Sequence, residues 1–224
     1  MWRLRKVICA PPARPDNAAM GLDAALAGLA TLAALTLRPW RVLGARGPAW
    51  AWIGWWALLP LLWSADLHAH SAVVQPLSGA SLLVLMCGWP LAVLALLGTA
   101  LATVVLGPLD ALQALHRLAW LGVVPATFAL ALGAVVRRWL PHHLFVYIFA
   151  RGFFGTLLAT AAAGWLALAH TGASAGLSTD DLLIGRGLAA WGEAIVSGML
   201  VSIFVAYRPQ WLATYSDALY LPRS

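Results

Sequence analysis

The chain alternates long apolar stretches with short polar breaks, and the apolar stretches are too long and too uniform to be the buried faces of a soluble protein. A membrane-crossing helix needs about 20 mostly apolar residues. Seven candidate stretches can be drawn, over 20–37, 49–65, 72–87, 90–107, 118–136, 144–169 and 187–207. Between Leu67 and Leu109 there is no Asp, Glu, Lys or Arg, and at about 1.5 Å per helical residue that run exceeds one bilayer thickness. It must turn back. Gly88-Trp89-Pro90 is the natural place, because proline lacks a backbone donor and glycine accepts a tight bend. The pattern predicts an all-α membrane protein, a polytopic bundle of about seven (six to seven) transmembrane helices forming a single domain over 20–224. Residues 1–19 read as an N-terminal tail, or as outside the true chain with Met20 as its start. Their apolar run Val7-Ile8-Cys9-Ala10 is broken at Pro11-Pro12, short of the 7–15 apolar residues, or about that, of a signal peptide.

Composition sharpens this picture. Of 224 residues, 62% are hydrophobic and 10% charged, whereas soluble domains are about a quarter charged. The net charge of +6 comes from basic residues scattered in short clusters between apolar stretches, which fits topology signals rather than a nucleic-acid surface. Cys9 and Cys87 are too far apart for a CxxC motif, and two cysteines make no disulfide framework. Lys and Arg in short loops favour the cytoplasm. Starting with Met20 outside puts Arg38, Arg41, Arg46, Arg137, Arg138, Arg208 and Arg223 inside, and Asp66, Asp110, Asp180 and Asp181 outside. Arg117 and Arg186 are the exceptions to this N-outside, C-inside topology. Trp40, Trp50, Trp52, Trp89, Trp139, Trp191 and Trp211 fall near span ends, where amphipathic indoles form interfacial belts.

Few residues offer chemistry. His68, His70, His116 and His170 fall at the outer face, and His142 and His143 inside. Imidazole is a common ligand for cobalt, nickel, copper and zinc, so His68 and His70 beside Asp66, joined by His116, form a candidate metal-capturing set. Solvated loop residues are the alternative reading. Arg151 and Glu193 lie inside predicted spans, about 15 and 20 Å from the inner face. At those depths they could pair to lock two helices together, or Glu193 could serve an ion path or a coupling step. In the first span Ala24, Ala27, Gly28, Ala30, Thr31 and Ala34 recur at spacings of three and four. Such small-residue faces let helices approach closely, within the chain or against a partner membrane subunit. The chain holds no G-x-S-x-G, HExxH or P-loop and no paired carboxylates within a span, so no enzyme is expected and any ATPase is another chain.

Three segments resemble the short bacterial integral membrane proteins of the energy-coupling-factor (ECF) transporter permease family, cobalt/nickel type. They are Leu77-Ser78-Gly79-Ala80-Ser81 through Leu85-Met86-Cys87-Gly88, Leu140-Pro141-His142-His143-Leu144 through Phe153-Phe154-Gly155, and Gly192-Glu193-Ala194 through Tyr207-Arg208-Pro209-Gln210-Trp211. The similarity runs from about Met20 to the end of the chain. It implies a substrate-binding or permease subunit of the bacterial cytoplasmic membrane. Such a subunit takes up a divalent transition-metal ion, cobalt or nickel, with an ECF transmembrane coupling subunit and cytoplasmic ATPase subunits, and holds no permanent cofactor. The Ala-rich first helix, with Ala24, Gly28, Ala30 and Ala34, resembles the face such subunits present to the coupling protein. The family's metal ligands are an N-terminal Met-His and a histidine before the Leu-x-Gly segment. Here Met1 precedes Trp2, Met20 precedes Gly21, and the internal position falls at about Pro76. Two other readings follow from that departure: a non-transporting scaffold or assembly partner, and a vitamin-type subunit that binds an organic ligand on its tryptophans.

Overall fold

A computed structural model describes residues 17–40, 50–68, 75–107, 109–141, 143–172, 178–216 and 220. It is all-helical, with no strand among the described residues. Seven helices follow in order: α1 (Asn17–Thr36), α2 (Trp50–Trp63), α3 (Ala80–Cys87), α4 (Trp89–Val105), α5 (Ala111–Trp139), α6 (Leu144–Thr171) and α7 (Thr179–Tyr207). One helical turn, Ala65–His68, follows α2, and a 3₁₀ turn, Pro209–Trp211, follows α7. Helices α5, α6 and α7 are long and apolar enough to cross a membrane. Protein covers only 44%, 39% and 33% of their most apolar windows. Leu158, Ile184, Leu188 and Met199 point outward from them, as expected of helices that are apolar on every side.

The long helices alternate in direction. Gly164 abuts Arg186, Gly198 abuts Phe153 and Gly152 abuts Val201, so α6 and α7 run antiparallel with small residues at their contacts. One end of the bundle carries Asp110, Asp180 and Asp181 at helix starts, and the other carries Arg137, Arg138 and Arg208 at helix ends. Ser178 caps α7, its hydroxyl accepting the Asp181 N–H at 3.0 Å, and Asp110 caps α5 by accepting from the Gln113 N–H at 2.7 Å. Helix α7 begins eight residues before the predicted 187, which places Arg186 within the helix rather than in a loop.

The predicted third span, 72–87, is not one helix. Residues 75–79 are irregular, and helix begins only at Ala80. Gly79, at φ +65°, makes the bend in the left-handed region where a side chain is strained. A Cβ there would also strike Leu59 and Trp55 of α2. Helix α3 has eight residues, of which Ala80 through Met86 are all buried. It lies inside a shell made by α2, α4, α5, α6 and α7. Its hydrophobic residues split between two cores. Ala80, Leu83 and Val84 join Leu59, Trp63, Leu96 and Ala126, while Leu82, Leu85 and Met86 join Tyr147, Val201, Leu212 and Tyr215.

Candidate functional site

A helix this short leaves most of its terminal backbone groups without helical partners, and in a buried position each needs a substitute. Glu193, midway along α7 and 3% exposed, supplies one end. Its Oε2 accepts the Ser78 N–H at 2.9 Å and its Oε1 the Gly79 N–H at 3.0 Å. The carboxylate thus sits on the positive end of α3, where helix dipole and N–H groups both favour an anion. Ser78 completes the cap from its own side chain: the hydroxyl accepts the Ala80 N–H at 3.1 Å and donates to the Leu121 carbonyl at 2.6 Å. That carbonyl has a local cause. Leu118–Val123 forms a π-helical turn in α5, and Pro125 has no N–H to return to the residue four before it, Leu121.

The carbonyls of the bend are held by tryptophans. The Trp63 indole donates to Ser78 O and the Trp55 indole to Gly79 O, each at 3.0 Å, while Trp56 donates to Ala95 O of α4 at 2.7 Å. These indoles are interior anchors rather than belt residues. Trp52 and Trp89, expected in the belt, pack against the first core. Trp40, Trp139 and Trp191 do lie exposed, whereas the side chain of Trp50 lies outside the described set.

At the opposite end of α3, the segment after α7 folds back. The Ala213 N–H donates to Met86 O at 3.1 Å and the Thr214 N–H to Leu85 O at 3.3 Å. Tyr147 meets the Thr214 hydroxyl at 2.8 Å. The Arg151 guanidinium reaches Thr214 O at 3.5 Å and lies over the Tyr147 ring, 5.5 Å from its centroid. The expected pairing of Arg151 with Glu193 is therefore corrected. No ion pair joins them among the described residues. The register explains why: Gly152 lies against Val201, eight residues and about 12 Å along α7 from Glu193.

The histidine set is divided. His70 and the side chain of His68 lie outside the described residues. Asp66 is engaged by Arg117 in a two-pronged ion pair at 2.8 and 2.9 Å, and Arg117 also donates to the Trp63 carbonyl. The Ala65–His68 turn is thereby tied to the start of α5, where His116 lies. His116 meets Asp23 of α1 across 2.8 Å (Nδ1 to Oδ2), and the Trp120 indole donates to the other oxygen of Asp23 at 2.8 Å. Asp23 is 2% exposed, and sequence reading missed it although an aspartate in an apolar helix is its own signal. The His170 ring of α6 lies tilted at 31° against Trp120, with centroids 5.4 Å apart. Among the described residues no group of three or more His, Cys, Asp or Glu is arranged to hold a metal ion.

Of the small-residue face on α1, Ala30 and Ala34 are buried against the bundle together with Ala27, while Ala24 and Gly28 are exposed on an adjoining face. The stripe is two faces. Arg186 donates to the Gly164 carbonyl of α6. With the fold and this geometry in view, no family model, no curated protein and no solved structure matches the chain.

Proposed function

We propose that the chain is an integral membrane subunit of a transporter, a substrate-binding or permease component of the energy-coupling-factor type that its sequence resembles. The observation that supports this is the broken third span. Irregular backbone at the depth of a bilayer core survives only where protein covers it or where it lines a cavity. In transporters such discontinuous helices carry the substrate and ion sites, with half-helix N-termini directed at them. Here the break lies midway along α7, at Glu193, and every residue of α3 from Ala80 to Met86 is buried. With the arginine-rich end of the bundle in the cytoplasm, the N-terminus lies outside and the C-terminus inside, in the cytoplasmic membrane of a bacterium. ATP hydrolysis belongs to partner chains, reached through a membrane coupling subunit.

For the substrate we propose a divalent transition-metal ion, cobalt or nickel, captured at the acidic end. His116 supports this: its Nδ1 meets the Asp23 carboxylate at 2.8 Å, the arrangement by which carboxylates orient metal-binding histidines, and in the neutral tautomer with Nδ1–H donated to Asp23 the Nε2 lone pair is the one left for a metal. His68 closes the turn that Arg117 ties to the same end, and His70 is two residues further along the chain. The test is metal content of the detergent-purified full chain after equilibration with cobalt, nickel, copper and zinc in turn. One ion per chain, lost on combined His116→Ala and His68→Ala substitution, is the expected outcome. Binding of none of the four would overturn the metal reading. A second reading, a membrane scaffold or assembly partner, is favoured by the lack of a three-ligand cluster among the described residues. It requires a stable complex with other membrane proteins and no bound ion.

A further inference from the structure

Arg151 is a charge without a matching anion. Its guanidinium lies against the bare backbone of α5, where a Cβ on Gly133 would fall 2.7 Å from Nη2 and 3.1 Å from Nε. Its other neighbours are the Tyr147 ring, with Cζ 5.5 Å from the centroid, and the Thr214 carbonyl, 3.5 Å from Nη1. Nε is buried with no hydrogen-bond partner, and neither ion pair among the described residues involves Arg151. A charged side chain at bilayer depth ordinarily faces a counter-charge or a water-filled space. The described acidic residues are elsewhere: Asp23, Asp66, Asp110, Asp180 and Asp181 belong to the opposite end, and Glu193 lies midway along α7. Arg137, Arg138 and Arg208 share the end with Arg151, and all three are exposed. The described residues of this end therefore supply arginines and no carboxylate.

We propose that Arg151, seated between Gly133 and Tyr147, takes the phosphate of an anionic phospholipid from the leaflet at this end of the bundle. Position supports a lipid over a free anion. Helices α5 and α6, of 29 and 28 residues, are about 43 Å long and exceed a hydrocarbon core of about 30 Å by about 6 Å at each end. Arg151 lies seven residues, about 10 Å, into α6. Helical side chains lean toward the N-terminus, however, and its guanidinium rests over the ring of Tyr147, one turn nearer the end. That is headgroup level, reached by an arginine whose stem stays in the apolar layer. On α5 the residues about one turn to either side of Gly133 are Leu130, 43% exposed, and Arg137, also exposed, so the Gly133 contact borders an exposed strip. From the bilayer interior outward the order is Leu130, Arg151, Arg137: an apolar position, a planar donor suited to phosphate oxygens, and a second cation. That order matches an acyl chain below a phosphate, whereas a free anion has no use for Leu130. Basic pockets between membrane helices hold anionic headgroups in this way, and phosphatidylcholine, whose ammonium cancels its phosphate, fits less well near Arg137. The inference goes beyond the transport reading and needs only the membrane setting.

The experiment is native mass spectrometry of the detergent-purified full chain titrated with phosphatidylglycerol or with phosphatidylcholine of the same acyl chains, and with inorganic phosphate as a third arm. The expected result is retention of phosphatidylglycerol at about a fivefold lower concentration than phosphatidylcholine, the effect of a single arginine near an anionic surface, and no displacement by phosphate. Arg151→Met should abolish the preference. Gly133→Ala should weaken it too, because its Cβ displaces the guanidinium while every charge is kept. Arg208→Met, which removes one charge from the same end, should leave it. Binding is read on intact folded protein, so a variant that melts early still reports. Equal retention of the two lipids, a preference that survives both Arg151→Met and Gly133→Ala, or one lost as fully in Arg208→Met would overturn the site. Displacement by inorganic phosphate would overturn the lipid as its ligand.

Discussion

Removing the Glu193 carboxylate is the sharpest perturbation this bundle offers. In Glu193→Ala the Ser78 and Gly79 N–H groups lose their acceptors in a place where the side chain they met was 3% exposed. Each buried donor left unsatisfied costs about 1–3 kcal/mol, so the pair costs about 4 kcal/mol. For a chain of this length 1 kcal/mol moves the unfolding midpoint by about 2–4 °C, which makes the expected fall roughly 8–16 °C. Glu193→Gln keeps one acceptor oxygen and sets an amide NH₂ against the second donor, so its fall should be about half as large. The assay is loss of far-ultraviolet circular dichroism on heating in detergent. A fall below about 2 °C for Glu193→Ala would show that α3 does not depend on this cap. The Arg151→Ala/Glu193→Ala double variant tests the separation of the two charges. Their effects should add within about 0.5 kcal/mol, and strong coupling would restore the pairing that the structure lacks.

Gly79→Ala should destabilise by about 2 kcal/mol or more, from the left-handed backbone and from contact with Leu59 and Trp55; a melting midpoint within 1–2 °C, or about that, of the parent would contradict the bend. Ala213→Pro removes the donor to Met86 O and should cost about 1–3 kcal/mol, read by the same melt, whereas exposed Ala24→Leu should cost within about 0.5 kcal/mol. Arg117→Ala should cost about 1 kcal/mol, because its pair with Asp66 is only partly buried and screened by salt; a cost unchanged between low and high salt would show the Trp63 carbonyl contact to be the larger part.

Much of this architecture was legible along the chain, because a run of apolar residues can satisfy its backbone only by becoming helix. The alternation of direction, the turn at Gly88 and the gathering of basic residues at one end all follow from run length and arginine spacing. What could not be read was the interior of the third span. Gln75-Pro76-Leu77-Ser78-Gly79 carries no charge and lies between apolar neighbours, so it passes as part of a span although Pro76 and Gly79 both resist helix. The pairing of Arg151 with Glu193 failed for a related reason. Depth counted from the inner face set the two about 15 and 20 Å deep, whereas α6 starts only at Leu144, leaving Arg151 seven residues, about 10 Å, from that end, against fourteen, about 21 Å, for Glu193 counted from Tyr207. Asp23 could have been found by the same rule that singled out Glu193. Ser78 could not, since its role depends on a carbonyl that Pro125 leaves open 43 residues away in sequence.

The short buried helix also fixes what α7 must do. Isolated, eight residues would not hold a helix, since nucleation is costly and too few bonds follow it. Helix α3 is therefore a product of its surroundings. At its start two N–H groups are taken by Glu193, and at its end the Leu85 and Met86 carbonyls are taken by Thr214 and Ala213. All four contacts come from α7 or from the segment directly after it. Between them Val201 and Val205 share a core with Leu82 and Leu85. A displacement of α7 that left α3 behind would expose polar groups at both ends of the smaller helix at once, at about 1–3 kcal/mol for each group. A displacement that carried α3 along would break none of these four contacts, only those of α3 with its other neighbours, such as Trp55 and Trp63 of α2. The two helices thus behave as one body, and motion in this bundle should divide at the tryptophan anchors rather than at Glu193. Hydrogen exchange offers the check: the Ser78 and Gly79 amides should exchange with the interior of α7, and faster exchange at those two amides than in α7 would contradict the single body.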